Sequence, residues 1–511
     1  MPQRRTTRKL LFPLIFLFVA SCSSLAVPNP PALPTGTLPA SATAAATEAA
    51  TAIETPLPSP TLSPSLERPQ YVIDLQLNYA SKAAVVHQTI NYPNWTGETL
   101  PNLVLAVEPN LWSGGFSLKS VTVDGQDVTD FKIDNLSQRL EIPLPKPLEP
   151  GRTAEVKLNY NLILPPMQAY INASNDVRPQ IYGYSEKQVN FVDWYPMIVP
   201  YQPGEGWILH NPWFYGEHLV YDMADFDVTV TFTDGANPQI ASSGAEADAS
   251  STGTPKAGKP RRFILEGGRT FALSMSDYFK VATRQVDDVT VYAYYFGAYD
   301  APGEAMLQTT VEALHTFSEK FGPYRHKTMT AVQGDFNDGM EYSGLYFISR
   351  DYFNLYDNTP KNYLVIIAAH ETAHQWWFDG VGNDQAMEPW LDEALATYSE
   401  RIYYETVYPE LVDWWWGYRY FEFQKAGYVD TTIYDGGGQR PYWDKVYLTG
   451  ARFLEDLRKQ VGDEIFFKFL RDYYTRFVGR RATGADFFRV FHENTAADIT
   501  DLMVKYFQNT Y

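Results

Sequence analysis

The sequence is poor in cysteine, in histidine and in positive charge. Cys22 is the one cysteine among 511 residues, so the chain cannot form an internal disulfide bond. The 60 acidic residues outnumber the 41 lysines and arginines, which gives a formal net charge of −19. Such a surface repels phosphates, so we expect no nucleic-acid partner. The apolar share of 45% is ordinary for a soluble globular protein, and the length predicts two or three domains.

Apolar runs are also short at the N-terminus, where Leu10 to Ala20 is too brief to span a bilayer as a mature helix. Basic residues precede this run, and Val19-Ala20-Ser21-Cys22 follows it, which resembles the lipobox of bacterial lipoproteins. We expect residues 1–21 to be a signal peptide and Cys22 to be lipidated. The protein would then be extracytoplasmic, anchored to the bacterial cell envelope and in contact with the membrane through that lipid. An ordinary cleavable signal with an incidental cysteine is the alternative.

Composition and periodicity divide the rest of the chain. Residues 22–69 are rich in Pro, Ala and Thr, which predicts an extended linker after the lipidated cysteine. Residues 70–280 show period-two alternation broken by turn residues, which predicts an all-β domain with a long loop at Asp234 to Pro260. Residues 281–511 shift to helical periodicity. The fold class is therefore predicted to be α+β and multidomain, with an antiparallel β-sandwich-like domain before a mainly helical one.

Helix signals are strong around the centre of the helical part. Thr359 can cap a helix that has Pro360 at its first position, and its apolar run from Tyr363 to Phe378 is stopped by Gly380. The other predicted helices run from about Gly303 to Phe321, from Pro389 to about Val407, from Tyr447 to Val461 and from Glu464 to Phe477.

The segment His370-Glu371-Thr372-Ala373-His374 carries two of the eight histidines. Positions four apart lie on one face of a helix, so both imidazoles can bind one metal ion while Glu371 reaches a water at that ion. Two hydrogen-bonded histidines in a buried helix are the alternative, but such a helix must then supply several polar partners.

A catalytic zinc site needs a third protein ligand and leaves one position to water. Glu393 lies 19 residues after His374, in a second predicted helix, and would complete a site for one Zn²⁺ per chain. Glu400, seven residues further on, would face the same way. It would either orient a zinc-bound histidine or form a salt bridge.

These two motifs together resemble peptidase family M1, the gluzincin metallopeptidases that include the zinc aminopeptidases. The family pattern is HExxH, eighteen residues, then Glu in a WLNEG-like segment, and this chain has Asp392 and Ala394 where Asn and Gly are usual. The resemblance implies a thermolysin-like catalytic domain over residues 281–511. It also implies peptide substrates, with Glu371 as general base.

Two further stretches extend the resemblance. Gly339-Met340-Glu341-Tyr342 is similar to the family's G-x-M-E-N edge strand, which implies that Gly339 and Met340 contact the substrate and that Glu341 binds its free α-amino group. Tyr447 falls in a stretch similar to Y-x-K-G-A, which implies a hydrogen bond to the developing oxyanion. Read from the residues alone, Glu341 would also suit a solvated loop, Tyr447 a helix core, and Tyr442 or Tyr434 the role of Tyr447. For a second amine anchor in the β domain, Glu186 and Gln188 are the candidates.

The predicted function is removal of N-terminal residues from peptides by a promoted-water mechanism. Few residues follow Phe477, so we expect no large C-terminal helical domain and an open cleft. An open cleft makes an endopeptidase the alternative within the same class. A non-catalytic binding lipoprotein on a peptidase scaffold is the alternative from another class, although the ligands and the base are all present.

Overall fold

The computed structural model describes residues 68–511 except 168–169, 172–176, 179–180, 248–257 and 422–426. The predicted signal peptide, Cys22 and the linker therefore lie outside the described residues. Within the described ranges no helix has both the length and the apolar character needed to cross a membrane.

Strands dominate the part of the described chain before residue 279. They are β1 (Gln70–Asn78), β2 (Ala83–Pro93), β3 (Leu100–Ala106), β4 (Phe116–Val123), β5 (Gln126–Asp127), β6 (Lys132–Ile133), β7 (Arg139–Leu148), β8 (Thr153–Ile163), β9 (Tyr170–Ile171), β10 (Val177–Arg178), β11 (Gly183–Tyr184), β12 (Val189–Phe191), β13 (Met197–Ile198), β14 (Tyr201–Gln202), β15 (Gly206–Trp207), β16 (Ala224–Phe232), β17 (Gln239–Ser242), β18 (Ala245–Glu246), β19 (Arg261–Gly268) and β20 (Leu273–Ser276).

The largest sheet has the strand order β18-β19-β16-β1-β2-β8-β4-β5, and smaller sheets have the orders β11-β12-β20-β17 and β13-β3-β7-β6. The predicted alternation is present in β1, where Ile73, Leu75 and Leu77 are at most 1% exposed. These residues join one core with the inward faces of the other strands. One pairing departs from the predicted antiparallel pattern, because β1 and β16 run parallel. The loop predicted at Asp234 to Pro260 was wrong in part, because β17 and β18 lie within it and pair with β20 and β19.

The helical part is built on a five-stranded sheet. Its strands are β21 (Phe279–Val286), β22 (Val289–Phe296), β23 (Thr328–Gln333), β24 (Met340–Tyr342) and β25 (Leu345–Ile348). The order is β21-β22-β23-β25-β24, so β24 is an edge strand. Helices of this part are α1 (Asp300–Phe321), α2 (Arg350–Asn354), α3 (Tyr363–Ala373), α4 (Trp390–Val407), α5 (Val412–Trp415), α6 (Gln439–Trp443), α7 (Gly450–Val461), α8 (Asp463–Phe477), α9 (Gly484–Asn494) and α10 (Thr500–Tyr506), with π-helical turns at Trp416–Phe421 and Asp444–Thr449.

The predicted ends of α3 were wrong on both sides. The cap is Asn362, whose side-chain oxygen accepts from the Val365 amide, while Thr359 bonds to Asp357 in the preceding turn. Regular helix ends at Ala373, because the Gln375 and Trp376 amides donate to carbonyls three residues back. The amides from Asp379 to Val381 then donate to carbonyls five residues back. The chain therefore leaves α3 through an irregular turn that begins at His374. The other predicted helices are present.

The buried arginine Arg269 joins the β-rich half to the helical half. Arg269, which is 3% exposed, donates to the carbonyls of Tyr221, Phe378, Asp379, Gly380 and Arg480 at 2.6–3.3 Å. Burial lowers its pKa to about 10, so it stays protonated at neutral pH. The turn that follows His374 is thereby fixed against the β-rich half.

The α+β class, with a β-rich region before a helical one, is confirmed.

Candidate metal centre and catalytic cavity

The structure brings His370, His374 and Glu393 together at the junction of α3 and α4. His370 Nε2 lies 3.1 Å from His374 Nε2 and 3.2 Å from Glu393 Oε2, and the third side of the triangle, from His374 Nε2 to Glu393 Oε2, is 3.6 Å. All three residues are at most 4% exposed. Ligands about 2.0–2.1 Å from a tetrahedral zinc are separated by roughly 3.3 Å. The triangle therefore fits zinc.

The hydrogen bonds of the two rings decide where their lone pairs point. His370 Nδ1 lies 2.9 Å from Glu400 Oε1, and His374 Nδ1 lies 3.0 Å from the Trp377 carbonyl oxygen. Both oxygens are acceptors, so each Nδ1 carries the proton and each neutral ring turns a lone pair at Nε2 toward the carboxylate of Glu393. Three acceptors facing one another require a cation between them.

The pKa values of His370 and Glu393 also indicate that a positive charge is favoured between the ligands. Burial disfavours protonation of His370, but its bonds to Glu393 and Glu400 outweigh burial and raise its pKa to about 9. Burial also opposes ionisation of Glu393, yet the two histidines lower its pKa well below the usual range. The first turn of α4 adds to this effect, since the positive end of a helix dipole stabilises a carboxylate.

Glu371 lies beside the triangle of ligands and has one carboxylate oxygen that can accept a proton. It is 5% exposed, and its Oε2 has no hydrogen-bond partner. Burial raises its pKa to about 8, with the two histidines opposing the shift. A carboxylate with a raised pKa can accept and return a proton near neutral pH.

The segment Gly339, Met340 and Glu341 enters the cavity from β24, at the free edge of the five-stranded sheet. Glu341 is 3% exposed and accepts a hydrogen bond of 3.1 Å from Gln385 Nε2, so it is not a solvated loop residue. A carboxylate oxygen of Glu341, a carboxylate oxygen of Glu371 and a ring nitrogen of His374 all lie within 4.8 Å of one another. A Cβ atom at Gly339 would stand 2.8 Å from Glu371 Oε1, so this strand passes close to Glu371.

Tyr447 lies on the π-helical turn Asp444–Thr449 and reaches the ligands. Its hydroxyl donates to Glu393 Oε1 at 2.6 Å, and its ring is stacked 6.0 Å from that of His370. Burial and Glu393 raise its pKa well above the ordinary value, so the hydroxyl keeps its proton. The rival Tyr434 instead donates to the Asn211 carbonyl, and Tyr442 does not line the cavity.

Sequence reasoning missed Glu217. This residue lies between β15 and β16 in the β-rich half, lines the cavity and has a buried Oε2 without a hydrogen-bond partner. Burial, Glu341 and Glu393 raise its pKa well above the usual value. The earlier candidates lie elsewhere: Glu186 is exposed, and Gln188 bonds to Ser274 and the Gln333 carbonyl. No sequence signal links residue 217 to residue 341.

Glu400 takes both of the roles considered for it. Its Oε1 accepts from His370 Nδ1, and both of its oxygens accept from Arg419 at 2.9 Å. Trp415 Nε1 donates to Oε2 at 3.0 Å. Glu400 therefore orients a ligand and neutralises a buried arginine. The nearby tryptophans Trp415 and Trp416 are core residues.

One cavity of about 300 Å³ contains the site. Its lining includes the triangle, Glu371, Glu341, Glu217 and Tyr447, with walls from both halves of the described chain. An arrangement of metal ligands, an unpartnered buried carboxylate and a pair of acidic side chains suits hydrolysis of a substrate that carries a positive charge.

Comparison with known proteins agrees with this geometry. Residues 305–506 match the model of the Peptidase family M1 domain. Aminopeptidase M1-B of Oryza sativa subsp. japonica is 25% identical over 247 residues, which cover 45% of this chain and 28% of that protein. Aminopeptidase N of Streptomyces lividans is 27% identical over 214 residues, which cover 38% of this chain and 25% of that protein. The chain thus matches between 25% and 28% of the length of these relatives.

The fold is shared over a longer span. An M1 zinc metallopeptidase from Deinococcus radiodurans, in a mutant form bound to a Tyr-Ser-Ala substrate, superposes with a TM-score of 0.62 at 19% identity, covering 87% of this chain and 95% of the other. Residues 305–506 therefore match a Peptidase family M1 domain, and the three ligands within that range form a centre for a single zinc ion.

Proposed function

We propose that the protein removes N-terminal residues from peptides by zinc-dependent hydrolysis. The observation that carries this proposal is the presence of two acidic side chains, Glu341 and Glu217, in the same cavity as the zinc ligands and Glu371. A substrate α-ammonium group between these carboxylates would place the first peptide bond at the metal. Aminopeptidase activity is what the names of the rice and Streptomyces relatives state of those proteins.

Zinc held by His370, His374 and Glu393 would supply Lewis-acid chemistry, polarising the scissile carbonyl and acidifying water. Glu371 would take the proton of the attacking water on its unpartnered Oε2 and deliver it to the leaving amine. Burial raises the pKa of Glu371, which strengthens its carboxylate as a proton acceptor.

Tyr447 would stabilise the charge that develops on the carbonyl oxygen. Its hydroxyl now donates to Glu393 Oε1 at 2.6 Å, so it lies within one hydrogen bond of a zinc ligand. Rotation of that hydroxyl would redirect the proton to a substrate oxygen. Buried hydrogen-bond donors that are already in place stabilise a developing oxyanion with little reorganisation.

The test compares substrates with and without a free amine. With zinc-loaded protein, a fluorogenic aminoacyl amide should be hydrolysed, while its N-acetyl form should not. Glu341→Gln and Glu217→Gln should each lower kcat/KM for the free-amine substrate by about ten- to a hundredfold, the scale of a hydrogen bond between charged groups. Glu186→Gln, at an exposed position, is the matched control and should change little. Equal cleavage of both substrates would support an endopeptidase instead, and no cleavage of any peptide would refute the proposal.

We also propose that the chain is exported and anchored through lipid on Cys22, on the basis of the lipobox-like sequence before it. Expression of the full chain in a bacterial host should place it in the membrane fraction, with an N-terminal peptide whose mass includes a diacylglycerol group. Cys22→Ser should release the protein into the soluble fraction. A wild-type N-terminus without lipid would refute this part.

A further inference from the structure

The catalytic cavity continues beyond Glu341 into the β-rich half, in a region that the steps above do not use. We call this region the β-side arm. Its walls are the aliphatic and aromatic side chains Trp112, Ile181, Tyr182, Val192, Leu219 and Met340. The rings of Trp112 and Tyr182 lie 5.2 Å apart at an angle of 47°. The arm therefore offers aromatic and aliphatic surface to a substrate side chain.

The polar groups of the β-side arm are Glu108, His218 and Asp193. Glu108 Oε2 lies 3.2 Å from His218 Nε2, which also lies 3.2 Å from Gln138 Oε1. Glu108 is 8% exposed and His218 is 9% exposed. Asp193 accepts a 2.8 Å hydrogen bond from the Tyr221 hydroxyl. Two carboxylates thus share the arm with one histidine.

Acidic side chains extend from the amine anchor Glu341 through Asp193 to Glu108 in this arm. Asp193 interacts electrostatically with both Glu341 and Glu108, and burial together with these neighbours raises its pKa to about 7. The arginines that line the cavity do not balance this charge, because Arg419 pairs with Glu400 and Arg440 pairs with Asp444. A cation bound in the arm would therefore be stabilised by the carboxylates of Glu108 and Asp193.

We propose that the β-side arm receives the side chain of the substrate's N-terminal residue and selects arginine, with lysine next. This inference rests on the proposed aminopeptidase function. The side chain branches from the carbon that bears the amine, so a substrate anchored at Glu341 directs it into the adjoining arm. A planar guanidinium stacks on aromatic rings, here Trp112 and Tyr182, and forms paired hydrogen bonds with a carboxylate.

Other side chains fit the arm less well for stated reasons. A leucine or phenylalanine side chain would contact the apolar walls but would remove water from Glu108 and Asp193 without adding a positive charge beside them. An acidic side chain would add a third negative charge to the arm. The predicted order of N-terminal residues is therefore arginine, lysine, neutral apolar residues, and last glutamate.

The test measures kcat/KM for aminoacyl coumarin amides with N-terminal arginine, citrulline, lysine, leucine and glutamate. Citrulline matches arginine in shape but lacks its charge. We expect arginine to exceed citrulline by about ten- to a hundredfold. A ratio near one would overturn the inference while leaving the proposed function standing if leucine is cleaved. Failure of every free-amine substrate would refute the proposed function itself.

Substitutions locate the effect. Glu108→Gln and Asp193→Asn should each lower the arginine-to-citrulline ratio severalfold, whereas Glu149→Gln, at an exposed turn, should leave the ratio unchanged. Folding of each variant is checked by its thermal unfolding midpoint. As a readout independent of turnover, calorimetry on the Glu371→Gln protein should show tighter binding of arginine amide than of citrulline amide. Equal arginine-to-citrulline ratios in all four proteins would place arginine recognition outside the β-side arm. Equal affinities for the two amides would overturn the inference.

Discussion

Replacement of Glu400 by glutamine should weaken both zinc binding and the fold, by amounts that follow from its contacts. Glu400 is fully buried, and its two oxygens accept from His370, from Trp415 and twice from Arg419. Glutamine keeps the shape of the side chain but removes the charge, and it turns an amide NH₂ toward the arginine. Removing one partner of a buried ion pair costs about 3–5 kcal/mol, because the other charge is left uncompensated.

The effect on zinc should come through His370. The carboxylate at Nδ1 fixes the ring and makes Nε2 more basic, and loss of such a partner typically weakens metal binding about 10- to 100-fold. Urea unfolding of the zinc-free protein measures the first effect, and competition with a chromophoric chelator measures the second. Glu405→Gln is the matched control on α4, since its side chain is 36% exposed. Its partners Arg401 and Arg458 each keep a second acidic partner, Glu455 and Asp463 respectively. It should lower the free energy of unfolding by about 1 kcal/mol or less and should not change zinc affinity.

A double variant separates the two effects. Glu400→Gln combined with Arg419→Met removes both charges, so most of the free energy of unfolding should return, while zinc affinity should stay reduced. If Glu400→Gln bound zinc as tightly as the wild type, the orienting role inferred from the 2.9 Å contact would be wrong. A loss of stability no larger than that of Glu405→Gln would show that Arg419 finds another partner.

Three further changes have definite expected outcomes. Glu371→Gln should retain one zinc per chain by elemental analysis yet lose at least about 100-fold in kcat, and near-normal turnover would exclude it as the base. Chelation should abolish hydrolysis and lower the unfolding temperature, both restored by zinc, since a ligand that binds only the folded state stabilises it. Burial opposes ionisation of Asp379, but His326 and Arg325 outweigh it and lower its pKa to about 2. Its stabilisation of about 2 kcal/mol should therefore be complete above about pH 4 and lost as the pH falls through 2. The difference in unfolding free energy between wild type and Asp379→Asn should shrink over that range, and a constant difference would contradict this account.

The parts of the site that the sequence predicts are those fixed by local geometry. His370 and His374 are four residues apart on a helix, so their shared face follows from helical periodicity. Glu393 follows from the spacing of the next helix and from the resemblance. Sequence could not supply Glu217 or Gln385, because their positions beside Glu341 depend on how distant segments pack, and a single sequence holds no signal for that contact.

Prediction failed within the fold where tertiary contacts override local pattern. The apolar run that predicts helix up to Phe378 is apolar because its tryptophans enter the core, while its backbone has already left the helix at His374. The glycine- and serine-rich stretch predicted as a loop contains β17 and β18, whose partners lie more than ten residues away. Spacing could not separate Tyr447 from Tyr442 either, since their different surroundings arise from the π-helical turn Asp444–Thr449.

The interlock at Arg269 bears on how substrates enter. Four of its five carbonyl partners belong to the helical half, and each would exchange a charged donor for water if the halves swung apart. A hydrogen bond to a charged group contributes about 1.5–3 kcal/mol. The free energy of these hydrogen bonds therefore opposes opening of the two halves at this junction. Substrates of the proposed activity would then enter a cavity whose shape is already set, and an inhibitor that fits this shape would require little reorganisation of the protein.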